Sequence, residues 1–307
     1  MPRKHKTRHS HGWLAWYIPL LLVEFAVLIT LLIHGKNIAI LNPQGMVAHE
    51  QVKLLRFTIV LLLAIAVPVL TLLYFTAWKY RESNTKAVHE PDASRGKFFV
   101  ASMWIFPTMI MLVLTTVLYP ATHRLQPNKK IAADAKPLTI QVVSMRWKWV
   151  FIYPEQKIAT VNFVQIPVNT PVTFELTADE APMSSFWIPN LGGQLYSMTS
   201  HVNQLNLLAE TAGDYPGSSA ELNGAGFSGM KFTARASSAS DFDQWIQGVH
   251  QLNNVLDTAT YDNLLKPSES NPTAFYSDYQ SDLYSRVLEK YAGSHEGHTT
   301  NTSQEGH

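Results

Sequence analysis

The stretch Tyr215–Phe232, YPGSSAELNGAGFSGMKF, has the outline of a metal-binding loop between two β-strands. Its glycines, at positions 217, 224, 226 and 229, suit a tight and closely packed turn. A copper site for electron transfer needs soft ligands, namely Cys, His and Met side chains. The whole chain contains no cysteine. The sequence therefore predicts the backbone of a metal-binding loop without the side chains that would hold copper.

The composition excludes several classes of function. The 307 residues carry 24 Lys and Arg against 23 Asp and Glu, a formal net charge of +1, which argues against a nucleic-acid partner. The absence of cysteine excludes disulfides, thiolate zinc sites, iron–sulfur clusters and covalently attached haem. Apolar residues are concentrated in roughly the first 120 positions. The remainder is polar and rich in aromatic residues, as in a water-exposed domain.

Residues 1–35 are predicted to form a basic N-terminus and a transmembrane helix or a signal. The run from Trp13 to Ile33 has the length of about 20 residues that a helix needs to cross a bilayer. No clear cleavage site follows it, so an uncleaved anchor is favoured over a cleaved signal. Glu24, the carboxylate within this run, is predicted either to face another helix or to lie near a helix end.

Residues 57–122 are predicted to form a transmembrane helical hairpin. Its two uncharged runs, from Phe57 to Trp78 and from Phe98 to Thr122, are long enough to cross a bilayer. Pro68 and Pro107 interrupt them and predict kinked helices that pack against a larger partner.

The distribution of basic residues predicts the topology of this membrane region. Loop 79–97 carries five Lys and Arg residues, and the N-terminus is also basic. Both segments are therefore predicted to be cytoplasmic. It follows that residues 36–56 form an external loop and that everything after residue 122 lies outside.

Residues 123–240 are predicted to form an external all-β domain, an antiparallel sandwich or barrel. Short segments with alternating or β-branched residues are separated by Pro, Gly, Asn and Asp. These segments are residues 138–154, 158–167, 170–179, 204–210 and 230–236. The stretch WIPNLGGQLYSM is predicted to be an aromatic loop between strands.

Residues 241–293 are predicted to form a helical extension. An Asp N-cap signal at Asp241 precedes apolar residues at helical spacing, and Pro267 ends the pattern. A second helix is predicted from Ser281 to Tyr291. Residues 294–307 are predicted to be a disordered tail; its histidines are favoured as solvated side chains over a weak metal site. They are His295, His298 and His307.

Three separated blocks resemble a known family. RWKWVFIYPEQKIATVN, FWIPNLGGQLYSM and the opening stretch occur in the family's order, together with a two-helix hairpin. They resemble subunit II of the haem-copper terminal oxidases, and most closely that of the cytochrome bo-type ubiquinol oxidases. The resemblance covers about residues 36–290. It implies a cupredoxin fold outside the membrane, held by the helical hairpin against the catalytic subunit I.

The resemblance also implies that the copper site of the family is degenerate in this chain. Family members that oxidise cytochrome c carry two copper ions on this loop. The corresponding positions here are Ser184, Ser219, Glu221, Asn223, Phe227 and Met230. Two thiolates and two histidines are replaced, and only the glutamate and the methionine remain. We therefore expect no metal, catalytic or cofactor-binding residue in this chain, and we expect Phe227 to fill volume left by the absent metal.

The implied function is that of a structural subunit of a ubiquinol oxidase in the aerobic respiratory chain. Such a complex couples quinol oxidation to the reduction of oxygen to water and to proton translocation. Haems and copper are expected in subunit I, and the expected partners are subunit I, other subunits, membrane lipid and ubiquinol. The implied location is the bacterial inner membrane, multi-pass, with the C-terminal domain on the periplasmic side. The alternative is a free-standing, membrane-anchored cupredoxin-like binding module or copper carrier.

Aromatic residues in the segment of Trp147 and Trp149 receive electrons in the cytochrome c branch, but without copper we expect both to pack in a core or interface. Family members often place a glutamate near the start of the second hairpin helix, at a proton channel. Val100 stands at about that place, so no proton-entry role is assigned.

Overall fold

The computed structural model describes residues 38–82, 84–85, 96–133 and 135–292. The predicted N-terminal helix, the disordered tail and most of loop 79–97 lie outside these residues. The chain divides into two compact units, one containing Leu54–Leu118 and the other containing Ala39–Lys53 and everything from Tyr119 onward.

Two long apolar helices precede the β-domain: α1, Met46–Lys79, and α2, Lys97–Arg124. Both are long and apolar enough to cross a membrane, and the most apolar window of each is not buried inside the chain. At 1.5 Å per residue, each exceeds the hydrocarbon thickness of about 30 Å. Pro68 and Pro107 lie within these helices, and the kinks expected at them remain predictions.

Helix α1 begins earlier than the sequence suggested. Residues 46–56 were predicted to belong to an external loop, but they form the first turns of the helix. Residues 46–53 of this helix belong to the second unit: Ala48 and Val52 are buried, the Ala48 amide donates to the Leu191 carbonyl at 3.1 Å, and the preceding Gly45 pairs with Ala209. The contacts come from residues far along the chain, so local apolar spacing could not reveal them.

The β-domain that follows α2 consists of two β-sheets that enclose a common core. The strands are β1 Leu138–Met145, β2 Lys148–Tyr153, β3 Ile158–Val161, β4 Phe163–Pro167, β5 Val172–Ala178, β6 Ser184–Trp187, β7 Leu195–Ser197, β8 Asn203–Leu207, β9 Gly213–Ser219 and β10 Lys231–Ser237. One sheet has the order β3-β2-β1-β5-β8, extended at the β3 edge by a later strand. The other has the order β4-β10-β9-β6-β7.

Aromatic side chains fill the space between the sheets. Trp149 and Phe151 of β2 meet Phe186 of β6 and Phe232 of β10, and the last two rings stack with centroids 5.0 Å apart. The alternate residues Val150 and Ile152 point to the opposite face and join a second buried cluster. Strand β2 is therefore buried on both faces.

Three strands were not predicted. The stretch predicted as the aromatic loop contains the end of β6 at Trp187 and all of β7, and the predicted metal-binding loop begins with residues that belong to β9. Strand β9 reads GDYPGSS, with glycines and a proline that are disfavoured in strands. It forms because β10 supplies antiparallel partners from Gly213 to Ser218.

The C-terminal extension contains three helices: α3 Ala239–His250, α4 Thr258–Leu265 and α5 Leu283–Ala292. It also contains three short strands: β11 Val255–Leu256, β12 Ala274–Tyr276 and β13 Asp278–Tyr279. Strand β12 pairs with β3, while β11 and β13 pair with each other. The extension is thus not purely helical. It covers the outer face of the larger sheet through Leu256, Tyr261, Tyr284 and Val287.

The N-cap predicted for the first of these helices was wrong by three residues. Ser238 is the cap, and its hydroxyl accepts a hydrogen bond from the Asp241 amide at 3.1 Å. Asp241 instead occupies the third helical position, where its carboxylate accepts from the Ser238 hydroxyl at 2.7 Å. The Ser238 hydroxyl therefore caps the helix and also donates to the Asp241 carboxylate.

Candidate functional site

The candidate site lies at the end of the β9–β10 hairpin. Residues 220–230 connect these strands and include a 3-10 turn at Ala225–Gly229. A Cβ atom at Gly217 would lie 2.1 Å from the Phe232 ring, so glycine is required there. Gly224 has a φ of 115°, a left-handed conformation that favours glycine. The glycines therefore have the packing role that the sequence predicted.

Trp147 holds the loop from outside. It lies in the turn between β1 and β2 with a φ of 65°, so it does not continue a strand as predicted. Its ring covers Gly226, where a Cβ atom would lie 2.4 Å from it, and its Nε1 donates to the Asn223 carbonyl at 3.3 Å. Trp149, in contrast, is fully buried in the core.

Asn223 occupies the centre of the candidate site. Its Nδ2 donates to the Ser184 hydroxyl at 2.8 Å and to the Met230 sulfur at 3.0 Å, and all three residues are buried. Its Oδ1 is buried without a hydrogen-bond partner in the described part of the chain, as is the Ser185 hydroxyl. We call Ser184, Ser219, Asn223 and Met230 the loop cluster.

Ser219 joins this cluster through its backbone, because its amide donates to the Met230 carbonyl at 3.2 Å. Its hydroxyl donates to the Glu221 carbonyl at 3.0 Å and accepts from the Ser185 amide at 3.4 Å. Phe227 is only half-buried and lies outside the hydrophobic core clusters, so its ring does not fill buried volume as expected. The structure thus brings four of the six predicted positions together. Glu221 and Phe227 contact them only through main-chain carbonyls, which accept hydrogen bonds from the Ser219 hydroxyl and the Met230 amide.

The loop cluster does not fit copper. Copper in electron-transfer sites is held by thiolate, imidazole and thioether groups. Here the donors are two serine hydroxyls, a carboxamide and one thioether, and the thioether already accepts a hydrogen bond from Asn223. Nor do the described residues contain any group of three or more His, Cys, Asp or Glu side chains placed to hold a metal ion.

A buried lysine that belongs to no recognised motif of the sequence joins the sandwich to the extension. Lys148 is 1% exposed, and its ammonium donates to the Leu264 carbonyl at 2.7 Å, the Lys266 carbonyl at 2.8 Å and the Ser268 hydroxyl at 2.6 Å. It therefore neutralises the carbonyl end of α4. Burial lowers the pKa of this ammonium.

A buried aspartate makes a second junction with the extension. Asp179 is 2% exposed and accepts hydrogen bonds from Lys290 at 2.9 Å, from the Tyr261 hydroxyl at 2.8 Å and from the Tyr291 hydroxyl at 2.7 Å. Burial, and then the charge of Asp179, raise the pKa of Tyr261. We call Lys148, Asp179 and their partners the extension seam. Lys148 is a charged residue inside a predicted strand, and this is the feature of the sequence that could have indicated the seam.

Family models match two parts of the chain. Residues 155–237 match the periplasmic domain of cytochrome c oxidase subunit II, and residues 250–295 match the COX aromatic rich motif. The first match covers the loop cluster and most of the sandwich, so the predicted cupredoxin-like fold is confirmed. The second covers most of the extension.

Curated relatives match over most of the chain. The cytochrome bo(3) ubiquinol oxidase subunit 2 of Pseudomonas putida is 45% identical over 267 residues, which are 87% of this chain and 85% of the relative. The protein of the same description from Pseudomonas aeruginosa is 40% identical, covering 85% of this chain and 78% of the relative. The ubiquinol oxidase subunit 2 of Acetobacter aceti is also 40% identical, with 85% of each chain covered. The chain therefore belongs to the family of subunit 2 of the cytochrome bo-type ubiquinol oxidases.

Proposed function

We propose that this chain is a copper-free, structural subunit of a quinol oxidase in the bacterial inner membrane, with its β-domain on the periplasmic side. In this role it transfers no electrons itself. Its partners are subunit I, which would hold the haems and copper, and the other subunits of the complex. The complex would couple quinol oxidation to oxygen reduction and proton translocation.

The observation that carries this proposal is the chemistry of the loop cluster. Asn223 stands where the resemblance implies a thiolate, and it donates hydrogen bonds to Ser184 and Met230 instead of offering a metal ligand. No cysteine elsewhere in the chain can supply a thiolate. A copper carrier would need exchangeable soft ligands, so the same observation disfavours the alternative.

The chemistry of the substrate supports the same conclusion. A quinol is soluble in lipid and can reach the oxidase through the bilayer, so it does not require a copper relay in the aqueous phase. Electrons would then enter directly at subunit I. The loop can in that case lose its ligands while its backbone geometry is retained.

The two long helices support a permanent association with other membrane subunits. Their most apolar windows are exposed on the isolated chain, and bulky apolar side chains such as Trp104, Phe106 and Leu112 are each more than 60% exposed. Two helices of 34 and 28 residues can bury an interface of the obligate class, more than about 2,000 Å².

The test compares copper binding by two forms of the full-length chain. The natural chain should take up no stoichiometric copper after loading and desalting. A variant with Ser184→His, Ser219→Cys, Asn223→Cys and Phe227→His restores the four lost ligands, and copper bound to it would show that the loading conditions suffice. Tight binding of two coppers by the natural chain would overturn the proposal.

The assembly role has its own readout in membranes. Deleting residues 1–122 should abolish assembly of the oxidase, measured as incorporated haem and quinol-driven oxygen uptake. Trp147→Phe should leave turnover nearly unchanged, because this ring packs on the loop and, under this proposal, has no copper centre to which it could transfer electrons. If Trp147→Phe stopped turnover in a fully assembled, haem-loaded complex, the chain would take a direct part in electron entry.

A further inference from the structure

A cavity of about 330 Å³ opens beside the start of α1 and the end of α2. Its lining combines apolar side chains, among them Met46, Leu125 and Ile131, with the cationic side chains of Arg124, Lys129 and Lys130. The volume falls in the range of small-molecule sites in proteins, about 300–1,000 Å³. The mixture of an apolar lining and several cations matches an amphipathic anion.

The charged side chains that line this cavity are mostly cationic, which favours the binding of an anion. Its carboxylate, Glu50, is already paired with Lys53 at 2.5 Å. The charge of Arg124 reaches Glu50, whereas Lys129 and Lys130 form no ion pair among the described residues. Three exposed cations therefore face one cavity that has a single carboxylate, which is already paired with Lys53.

The segment that carries the two lysines is held in place. Asn206 of β8 donates to the Pro127 carbonyl from its amide at 2.9 Å and from its Nδ2 at 3.1 Å, and Thr173 in turn donates to Asn206 Oδ1 at 2.6 Å. The Lys129 amide donates to the Gln126 carbonyl at 3.0 Å. The lysines thus follow a fixed turn rather than a free linker, so their charges remain at the cavity.

The position of the cavity along the chain places it at a membrane surface. Arg124 is the last residue of α2, about two turns beyond Thr116 in its apolar run, and the cavity-lining residues of α1 precede the apolar run that starts at Phe57. Both helices thus present the cavity where their apolar surfaces end. This step rests on the proposed function, in that α1 and α2 must be membrane spans.

From these observations we infer that the cavity binds the headgroup of an anionic phospholipid. The phosphodiester would lie against Arg124, Lys129 and Lys130, and the glycerol and first methylenes would lie against Met46, Leu125 and Ile131. The apolar part of the lining favours a lipid over free phosphate, which would use only the cations. The bound lipid would join the β-domain to the outer leaflet.

The experiment uses the purified oxidase containing the full-length chain, in nanodiscs of phosphatidylcholine with a minority of photoactivatable phosphatidylglycerol. Cross-linked peptides are mapped by mass spectrometry. Labelling of residues 124–132 is expected, and the double variant Lys129→Gln, Lys130→Gln should reduce it roughly tenfold. The matched control is Lys157→Gln, Lys231→Gln, which removes two exposed lysines outside the cavity and should leave labelling unchanged.

Three outcomes would overturn the inference. Equal labelling by a photoactivatable phosphatidylcholine would show that the anionic charge is not recognised. Loss of labelling in millimolar inorganic phosphate would show that the cavity takes free phosphate. Absent labelling of residues 124–132, in a complex with full haem content, would show that no lipid binds there. Carbonate extraction of membranes tests separately whether the chain is an integral membrane protein. A chain that stays in the membrane but shows no lipid labelling would therefore contradict the lipid site and not the proposed function.

Discussion

The loop cluster and the extension seam both bury polar side chains, but the two regions differ in how many of these buried groups have hydrogen-bond partners. Lys148 and Asp179 of the seam are charged, and each has three hydrogen-bond partners. Asn223 and Ser185, at the loop, are neutral, and each keeps one buried oxygen without a partner in the described residues. A buried charge is costly unless it is fully paired, whereas an unpaired amide oxygen costs less.

The difference indicates which region depends on its polar groups for structure. Removing one partner at the seam leaves several buried groups unsatisfied, so the seam must be complete to be stable. The loop keeps its shape mainly through close packing of glycines against Phe232 and Trp147. Substitutions should therefore be most damaging in polar side chains at the seam, and in glycines at the loop.

The largest effect is expected from Lys148→Met. The change removes three hydrogen bonds, leaves the Leu264 carbonyl unsatisfied and leaves the Lys266 carbonyl with only the Ser268 hydroxyl at 3.5 Å, so the free energy of unfolding should fall by about 3 kcal/mol. Urea unfolding of the full-length chain in detergent, followed by tryptophan fluorescence, measures it. Lys157→Met, at an exposed lysine, is the matched control and should change stability by less than about 0.5 kcal/mol. Similar losses in both variants would contradict the role of Lys148.

Gly217→Ala should destabilise the loop region by about 2 kcal/mol. The new methyl group would overlap the Phe232 ring, which stacks on Phe186 and cannot easily move. The control is Gly248→Ala in helix α3, where a Cβ atom meets nothing within 4 Å. Because alanine is the better helix former, that variant should gain up to about 1 kcal/mol. Equal effects of the two changes in the same unfolding assay would refute the packing argument.

Alkaline pH should weaken the seam through Tyr261. Its pKa in the folded state is raised, by burial and then by Asp179, above a value near 10 in the unfolded chain. The stability it contributes is therefore complete below pH 10 and is lost as the pH rises further, by up to about 1.4 kcal/mol per pH unit. Tyr261→Phe should cost about 1 kcal/mol at pH 7 but remove this part of the alkaline decline. An unchanged slope above pH 10 in the variant would exclude Tyr261 as its source.

The smallest effect is expected from Asn223→Ala. It removes two hydrogen bonds but also removes the unpaired Oδ1, so the two contributions partly cancel and the loss should be about 1 kcal/mol or less. The same urea titration measures it beside Lys148→Met. A loss as large as that of Lys148→Met would show that the loop cluster is as important to stability as the seam.

The sequence predicted features that depend on local pattern. The two apolar helices, the strands rich in β-branched residues, and the glycine-dependent turn at 215–232 follow from spacing and residue type. The resemblance also marked Ser184, Asn223 and Met230, which lie together in the structure although 39 and 7 residues separate Asn223 from the other two.

Features that depend on distant partners could not be predicted. Strand β9 exists because β10 pairs with it, despite its own glycines and proline. The role of Lys148 depends on acceptors at least 116 residues away in the chain. The half-buried position of Phe227 depends on how Trp147 and the 3-10 turn arrange the loop, which residue type alone does not encode.

The docking of residues 39–53 onto the β-domain has a consequence for biogenesis. Asn190 holds this segment by donating to the Asn42 carbonyl, 148 residues earlier in the chain, and Leu191 and Leu208 accept from the amides of Ala48 and Met46. A ribosome adding 5–20 residues per second needs roughly seven to thirty seconds to supply those partners. If α1 and α2 enter the bilayer first, the start of α1 lies on the outer side without its native contacts until the β-domain has been synthesised and translocated. Closure of this long-range contact would then be a late event in folding, after translocation of the β-domain.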